Sequence, residues 1–485
     1  MASTRKRSPK AKEKIEQVLL DLVRDAVANA AAATAKRAAR RAAPLLVAFS
    51  GGRDSSVLLD LVVRLRNARV AGFARPIAVH VHHGMQAAAD RWLEHCRTVC
   101  AAHDVQLAVR HVAVQTRGRG PEAAAREARY GALAAVAHEL NAPLILTAHH
   151  LDDRIETFLI QWLRGAGVDG LAAMPATRPL ADAAQAEEAS ENVHIVRPLL
   201  QAPRADLERY ARLRELVYIE DPSNQDPRLL RSSLRQHVLP ALYAARPGFA
   251  RAAARSIDLV AEAAETLREA GRIDLARCIE DAPAGMLRLD RLQQLSPPRQ
   301  TGVLRAWLAA RGVMAPPRAR LMEMLQQALE ARSDSRLRLR VGTQTVRRYR
   351  GLLLLREEAR KAGGAVAIAW NGEAEIPVPA WGGALRFIAT PGPGFDAAWL
   401  QAKALELRSR TGGERFKPHP TRPSKRLKQL YQEAGVPEFE RAALPLVWRD
   451  GELIFAAGLG ADVRWLEEDG ERIRLEWAPD AQLIE

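Results

Sequence analysis

Residues 45–62 read LLVAFSGGRDSSVLLDLV, and the fold follows from how this stretch is parsed. Leu45 to Phe49 is short and continuously apolar, as a strand buried on both faces requires. Ser50-Gly51-Gly52 then breaks the run. After the break Val57, Leu58, Leu61, Val62 and Leu65 recur at helical spacing. Strand, Gly-rich turn and helix therefore follow one another. Such a turn aims free backbone N–H groups at one spot, at the positive end of the helix dipole. That spot suits a phosphate, and glycine lets the backbone approach it because no Cβ intervenes.

The order Ser-Gly-Gly-x-Asp-Ser resembles the PP-loop of ATP pyrophosphatases. It is not a Walker A loop, since no Gly-Lys-Ser/Thr follows. The resemblance implies cleavage of ATP between its α- and β-phosphates.

Working outward, the chain alternates from Pro44 to about Arg164. Strands are expected at 45–49, 77–81, 105–112 and 144–147, and helices at 55–67, 88–102, 122–140 and 152–163. This is the βαβα rhythm of a doubly wound parallel sheet, whose ligands sit at the carboxyl ends of the strands. Polar clusters fall at those ends: Ser50-Gly51-Gly52, His80 with His82-His83-Gly84, and His149-His150. Residues 181–193 read as an acidic loop, 203–215 as a helix and 249–332 as helical with proline breaks. Residues 336–356 alternate as a strand pair.

The expected fold class is α/β: a doubly wound parallel-sheet PP-loop domain, then a helical domain and a small α+β C-terminal domain. The expected segments are a basic Ala-rich extension (1–43), an ATP-binding domain of PP-loop type (44–245) and a mainly helical domain (246–360). A linker with short strands (361–395) and a C-terminal α+β domain (396–485) complete the chain. The extension reads as partly helical and as an additional RNA-contacting arm.

With 485 residues, 48% hydrophobic, the chain is long enough for several cores. Its net charge of +15 points to a polyanionic partner, most plainly nucleic acid. Three cysteines, Cys96, Cys100 and Cys278, argue against a disulfide framework and for a reducing, cytoplasmic setting. No apolar run is long enough to span a membrane, and none resembles a secretory signal.

Four segments narrow the chemistry. In TAHHLDDRIETFLIQWLRGAGVDGL (147–171), His149 and His150 end a strand, and Asp152, Asp153 and Glu156 open a helix. Asp153 and Glu156 share a face. Carboxylates beside a nucleotide hold Mg²⁺ or take a proton from an attacking amine. In GPEAAAREARYGAL (120–133), Arg126 is placed to brace phosphate or a developing oxyanion. In YIEDPSNQDPRLLRSSLRQHVLPAL (218–242), a turn at Asp221–Asn224 precedes Arg228, Arg231 and Arg235, a basic ridge suited to RNA backbone or pyrophosphate. Between Arg408 and Lys428 stand eight Lys/Arg against Glu414, a nucleic-acid docking surface that includes Arg415, Lys417 and Lys425.

Taken in order, SGGRDSS, HVHHGM, PEAAAREARY, AHHLDDRIETFLIQWLRGAG, RPLL, DPSNQDPRLLRSSLR and SRTGGERFKP…KRLKQLYQEAGVPEFERAALPLVW resemble the tRNA(Ile)-lysidine synthetase family. The resemblance implies ATP-dependent adenylation of the C2 oxygen of the wobble cytidine in a CAU-anticodon tRNA(Ile). The amine of L-lysine then displaces AMP. It implies that Ser50, Gly51, Gly52, Arg53, Asp54, Ser55 and Ser56 bind ATP, with Mg²⁺ on Asp54 and Asp153. Asp54, Arg126, Asp153 and His150 are the expected catalytic residues. Asp152, Glu156, Arg164, Arg231, Arg235, Arg415, Lys417 and Lys425 are expected to hold lysine or tRNA, and a homodimer is admitted. The chain departs from the family at Ser232, where Asn usually follows the arginine, and at His82, where Asp usually stands.

Two rival readings remain. A PP-loop tRNA thiolase needs a persulfide cysteine or a CxxC iron–sulfur set, and Cys96/Cys100 have the wrong spacing. A non-catalytic tRNA-binding protein need not keep Asp54, Asp152, Asp153 and Glu156.

Overall fold

A computed structural model describes residues 9–34, 43–82, 89–113, 121–180, 193–220, 230–282, 285–330, 337–357 and 364–479. His83-Gly84, Asp221–Asn224, Arg228, the basic run Lys36–Arg41 and nearly all of the expected acidic loop lie outside the described residues. The chain forms two compact units, 1–266 and 267–485.

In the first unit, α1 (Pro9–Thr34) precedes β1 (Leu45–Ala48), α2 (Arg53–Asn67), β2 (Pro76–His82), α3 (Ala89–Ala102) and β3 (Gln106–His111). There follow α4 (Pro121–Glu139), β4 (Leu144–Leu146), α5 (Leu151–Leu163), α6 (Val168–Leu171), β5 (Thr177–Pro179), β6 (His194–Val196) and α7 (Arg204–Leu213). The strands order as β3-β2-β1-β4-β6-β5, all parallel except the edge strand β5. The order turns back at β1 and β4, so the ligand crevice of a doubly wound sheet opens between their carboxyl ends.

Successive strand residues face opposite ways. Leu45, Val47 and Phe49 meet α1, α2, α3 and α7 on one face; Leu46, with Ile77, Val79, Ile145 and Ile195, meets α4 on the other. Both faces are therefore dry, which explains strands with no polar alternation.

The N-terminal segment is not a free arm. Ile15, Leu19, Val23, Val27 and Ala30 recur at helical spacing and are buried in the sheet's core. Each large member of that stripe contributes roughly 1.5–3 kcal/mol relative to exposure. Glu16 pairs with Arg64 of α2 at 3.1 Å. The basic residues that flank this helix dominated the sequence reading, and the apolar stripe between them decides the structure.

The first unit continues through α8 (Leu230–Ser233), a π-helical turn (Leu234–Val238), α9 (Leu239–Ala245) and the start of α10 (Phe249–Ile279).

In the second unit, residues 336–356 hold three strands rather than a pair. Strands 338–341, 344–349 and 352–357 join 287–288 in an antiparallel sheet. Helices Pro297–Ala309 and Arg318–Glu330 share its core around Trp307 and Leu353. The stretch expected as a linker at 361–395 is also structural. Strand Gly383–Ala389 pairs along its length with Arg472–Pro479 and buries Leu385 and Phe387. The Gly/Ala-rich residues 362–366 suggested a linker with short strands; pairing from far along the chain makes those strands part of a sheet.

Candidate active site

The turn after β1 starts α2 at Arg53. Gly51 has φ +79°, and a Cβ there would lie 3.0 Å from Cys96 Sγ and 3.2 Å from the His95 ring. Glycine is required on both counts. The Ile219 N–H donates to the Gly51 carbonyl at 2.9 Å, fixing the turn from below. Ser55 Oγ donates to the Gly52 carbonyl (2.8 Å), and Ser50 Oγ lies 3.1 Å from Ser55 Oγ. Ser56 Oγ is buried with no hydrogen-bond partner among the described residues. A phosphate oxygen at the helix mouth would satisfy it, so the turn fits a phosphate group.

Facing this turn, α5 begins with a reciprocal cap. The Asp153 N–H donates to His150 Nδ1 (3.4 Å), and the His150 N–H donates to Asp153 Oδ2 (3.1 Å). His150 is 2% exposed, and its Nε2 lies 3.6 Å from Asp54 Oδ2 and 3.5 Å from Asp153 Oδ2. The two elements thus converge on one imidazole. Burial alone lowers the His150 pKa, but Asp153, Asp54 and Asp152 outweigh it and the net shift is upward. Burial raises the Asp54 carboxyl, yet His150 and Arg53 bring it down to about 2. Asp153 moves the same way: burial raises it, His150 and His149 lower it further. Burial pushes the neighbouring His149 imidazole down to about 3, so it is neutral near pH 7.

Several expected ligands are already engaged. Asp152 accepts the Arg204 N–H at the start of α7 (2.7 Å) and the Tyr243 hydroxyl (2.6 Å). Glu156, fully buried, accepts two bonds from Arg235 (2.8 and 2.9 Å) and lies 3.4 Å from Arg231. The ridge at Arg231 and Arg235, expected to suit RNA backbone or pyrophosphate, lies against Glu156, and Arg235 also reaches Asp153 at 3.5 Å. The π-helical turn Leu234–Val238 carries Arg235 into that position, a local widening common at functional sites. Arg53 spends its guanidinium on Asp54 (3.1 Å) and Glu208 (2.9 Å). Its contribution to a phosphate would come from its N–H.

The family's Asp is replaced by His82, yet a carboxylate remains near: Asp90 lies 3.2 Å from His82 Nε2. Ser232 is buried. Arg126 sits 5.3 Å over the Tyr130 ring. Arg164 caps the far end of α5 and is exposed. Arg415, Lys417 and Lys425 belong to the second unit. There strands 415–416 and 425–426 pair, Arg415 bonds Ser424 (2.6 and 3.2 Å) and Lys425 pairs with Glu433 at 2.7 Å.

The sequence alone did not single out Glu208, Tyr243 or Arg197 as site residues; the RPLL motif holds a local signal for Arg197. Cys96 and Cys100 are buried, which pushes their thiols up to about 12 and about 11. Thiols held so far from ionisation are inert, against sulfur transfer.

Two acids suit Mg²⁺, which uses one or two carboxylates with phosphate oxygens rather than a full protein cage. No group of three or more His, Cys, Asp or Glu side chains poised for a metal occurs among the described residues. No helix among them is long and apolar enough to cross a membrane.

Comparison with known proteins identifies the domains. A family profile described as "PP-loop domain" matches residues 23–242. Profiles described as "TilS substrate binding domain" and "TilS substrate C-terminal domain" match 287–354 and 405–477. A "tRNA(Ile)-lysidine synthase" of Ralstonia nicotianae is 46% identical over 86% of this chain and 88% of its own length. Namesakes from Methylococcus capsulatus and Serratia proteamaculans are each 38% identical over 89% of this chain, and over 96% and 95% of their own lengths.

Proposed function

The chain belongs to the tRNA(Ile)-lysidine synthase family, and from that premise we propose how its residues divide the work. The protein is an ATP-using ligase that forms lysidine on tRNA(Ile). One observation carries the division of roles: Asp54 of the PP-loop and Asp153 of α5 meet at buried His150.

In the first step the wobble cytidine C2 oxygen attacks the ATP α-phosphate. A P–O bond forms, and the bond to the β-phosphate breaks with loss of pyrophosphate. The amides of 51–53, with Ser55 and Ser56, hold the departing β,γ half. Asp54, kept ionised, would hold Mg²⁺ with Asp153, and the ion would neutralise charge on the phosphates.

In the second step L-lysine replaces AMP at C2. A C–N bond forms and the C2–O bond breaks. Lysine arrives as an ammonium ion of pKa about 10.4 and must lose a proton first. Asp153, held below the usual carboxylate range, is too weakly basic to keep that proton, which passes to solvent, so the work of Asp153 is to draw and orient the amine. His150, bridging both carboxylates, keeps each aimed at the crevice. Glu156, held by two arginines, fixes the wall behind them rather than contacting lysine as a free anion. Arg415, Lys417 and Lys425 serve the tRNA through phosphate contacts. We propose the cytoplasm as the compartment and a homodimer as the assembly for a sedimentation test.

Incubation with bulk tRNA, ATP and labelled lysine tests the reading. Label in tRNA(Ile), matched by equal AMP and pyrophosphate, is expected; sulfur uptake, or binding without turnover, overturns it. Asp153→Ala should lower kcat at least ~100-fold through lost positioning of the amine, and full activity in that variant would remove Asp153 from the mechanism.

A further inference from the structure

Along the carboxyl edge of the first sheet, each strand step is about 4.8 Å. The PP-loop leaves β1, and His149 follows β4. One strand further on, Arg197 follows β6, and beyond it Arg178 sits on β5 opposite Ile195. Tyr130 of α4 stands among them. The Arg178 guanidinium carbon is 4.9 Å from the Tyr130 ring centre and that of Arg126 is 5.3 Å away, and the Arg197 guanidinium is close enough to Tyr130 for the two to act on each other electrostatically.

Three guanidiniums from three elements thus surround one ring. Neither Arg178 nor Arg197 forms an ion pair with a carboxylate among the described residues. Arg197 is 2% exposed; it donates to the Pro175 carbonyl at 2.7 Å, but its Nε has no partner there. Buried cations are ordinarily paired, and like charges crowded together repel. A cluster that breaks both rules is built for an anion that arrives from outside.

We propose that Arg126, Arg178 and Arg197, gathered around Tyr130, form a subsite for an RNA backbone phosphate flanking the nucleotide that reacts beside α5. The inference rests on the lysidine reading, since it needs an RNA substrate there. Position favours this ligand. Arg197 lies two strand steps from the PP-loop, roughly 10 Å, beyond the triphosphate and on the far side of α5's histidines. Openness favours it too: Arg126 is exposed and Arg178 only half-buried, so a polynucleotide can enter and leave on both sides. The carboxylate of lysine needs a single bidentate guanidinium, and three would exceed it. The cluster also gives Arg126 a role as a backbone clamp instead of a brace on the reacting phosphate.

The test uses the full-length enzyme and tRNA(Ile) in which one phosphate flanking the wobble cytidine is a neutral methylphosphonate. Filter binding across a salt series is measured for wild type, Arg178→Ala and Arg178→Lys. Arg178→Ala should weaken binding about tenfold and lower the salt slope by about one, with partial recovery in Arg178→Lys. One methylphosphonate should weaken wild type comparably and add nothing in Arg178→Ala. In steady state the KM for tRNA should rise while those for ATP and lysine hold. A rise confined to the lysine KM assigns the cluster to lysine's carboxylate and overturns the proposal. Unchanged binding and slope in a folded Arg178→Ala, confirmed by its thermal unfolding, overturns it as well. Binding is read without turnover, so failure of the lysidine reading would show separately, as absent lysine incorporation by wild type.

Discussion

Two charged stretches of this chain look alike as text and differ as structure. The segment from His149 to Glu156 and the segment from Arg408 to Lys428 are both dense in ionisable residues. In the first, His150, Asp152 and Glu156 are buried, and each has a partner far along the chain: Asp54, Tyr243 and Arg235. In the second, the pairs are local and wet. Arg408 pairs with Glu406, Arg415 with Ser424, and Lys425 with Glu433. Burial removes the solvent that would screen a charge, so partners become obligatory. Exposure leaves the charges free to meet phosphates, and each pair contributes little to folding.

The sharpest way to break this comparison is Arg235→Ala. It strips Glu156 of its bidentate partner in a dry site, so about 3 kcal/mol of stability should go, and kcat/KM should fall at least ~100-fold. A urea titration with matched kinetics reads both. Loss no larger than that of a surface pair would erase the distinction.

Gly51→Ala comes next. Its left-handed φ and the 3.0 Å approach of Cys96 Sγ together should cost about 2 kcal/mol and raise the KM for ATP steeply. Gly413, with φ +90° and open space around it, is the control. There alanine meets the conformational strain alone, about 1 kcal/mol. Equal melting shifts in the two variants would show that packing at the turn is irrelevant.

His150→Gln probes the sign of a buried charge. The folded pKa of His150 lies above its unfolded value, about 6.5. The stabilisation it gives is therefore complete below that pH and fades as pH rises through the folded pKa. Denaturant midpoints of wild type and variant should differ most near pH 6 and approach each other in the alkaline range; a gap that widens with pH would reverse the assignment.

The smallest effect on folding belongs to Lys425→Ala. Stability should change by less than ~0.5 kcal/mol, whereas the salt slope of tRNA binding should fall by about one. A folding loss as large as that of Gly51→Ala would mean that this surface is structural.

The parallel sheet was legible because its signals are local. A run such as Leu45–Phe49 beside Ser50-Gly51-Gly52 has few other solutions, and the four expected strands and helices fall within a few residues of the observed ones. The acids of α5 were legible for the same reason. Their partners were not. Arg231 and Arg235 read as a basic ridge beside the ATP site, and nothing in their spacing reveals a π-helical turn or a buried Glu156. The apolar stripe of α1 was present in the text, but its basic flanks hid it. The short strands expected within 361–395 had no visible place in a sheet, because the partner of Gly383–Ala389, Arg472–Pro479, lies far along the chain.

By itself, the order of residues determined the βα alternation, the phosphate-binding turn and the family to which the chain belongs, because periodicity and turn chemistry act over neighbours. Only the tertiary structure decided which charges are spent on one another and which stay available for a ligand. That depends on desolvation and on distances between residues that the chain brings together only on folding.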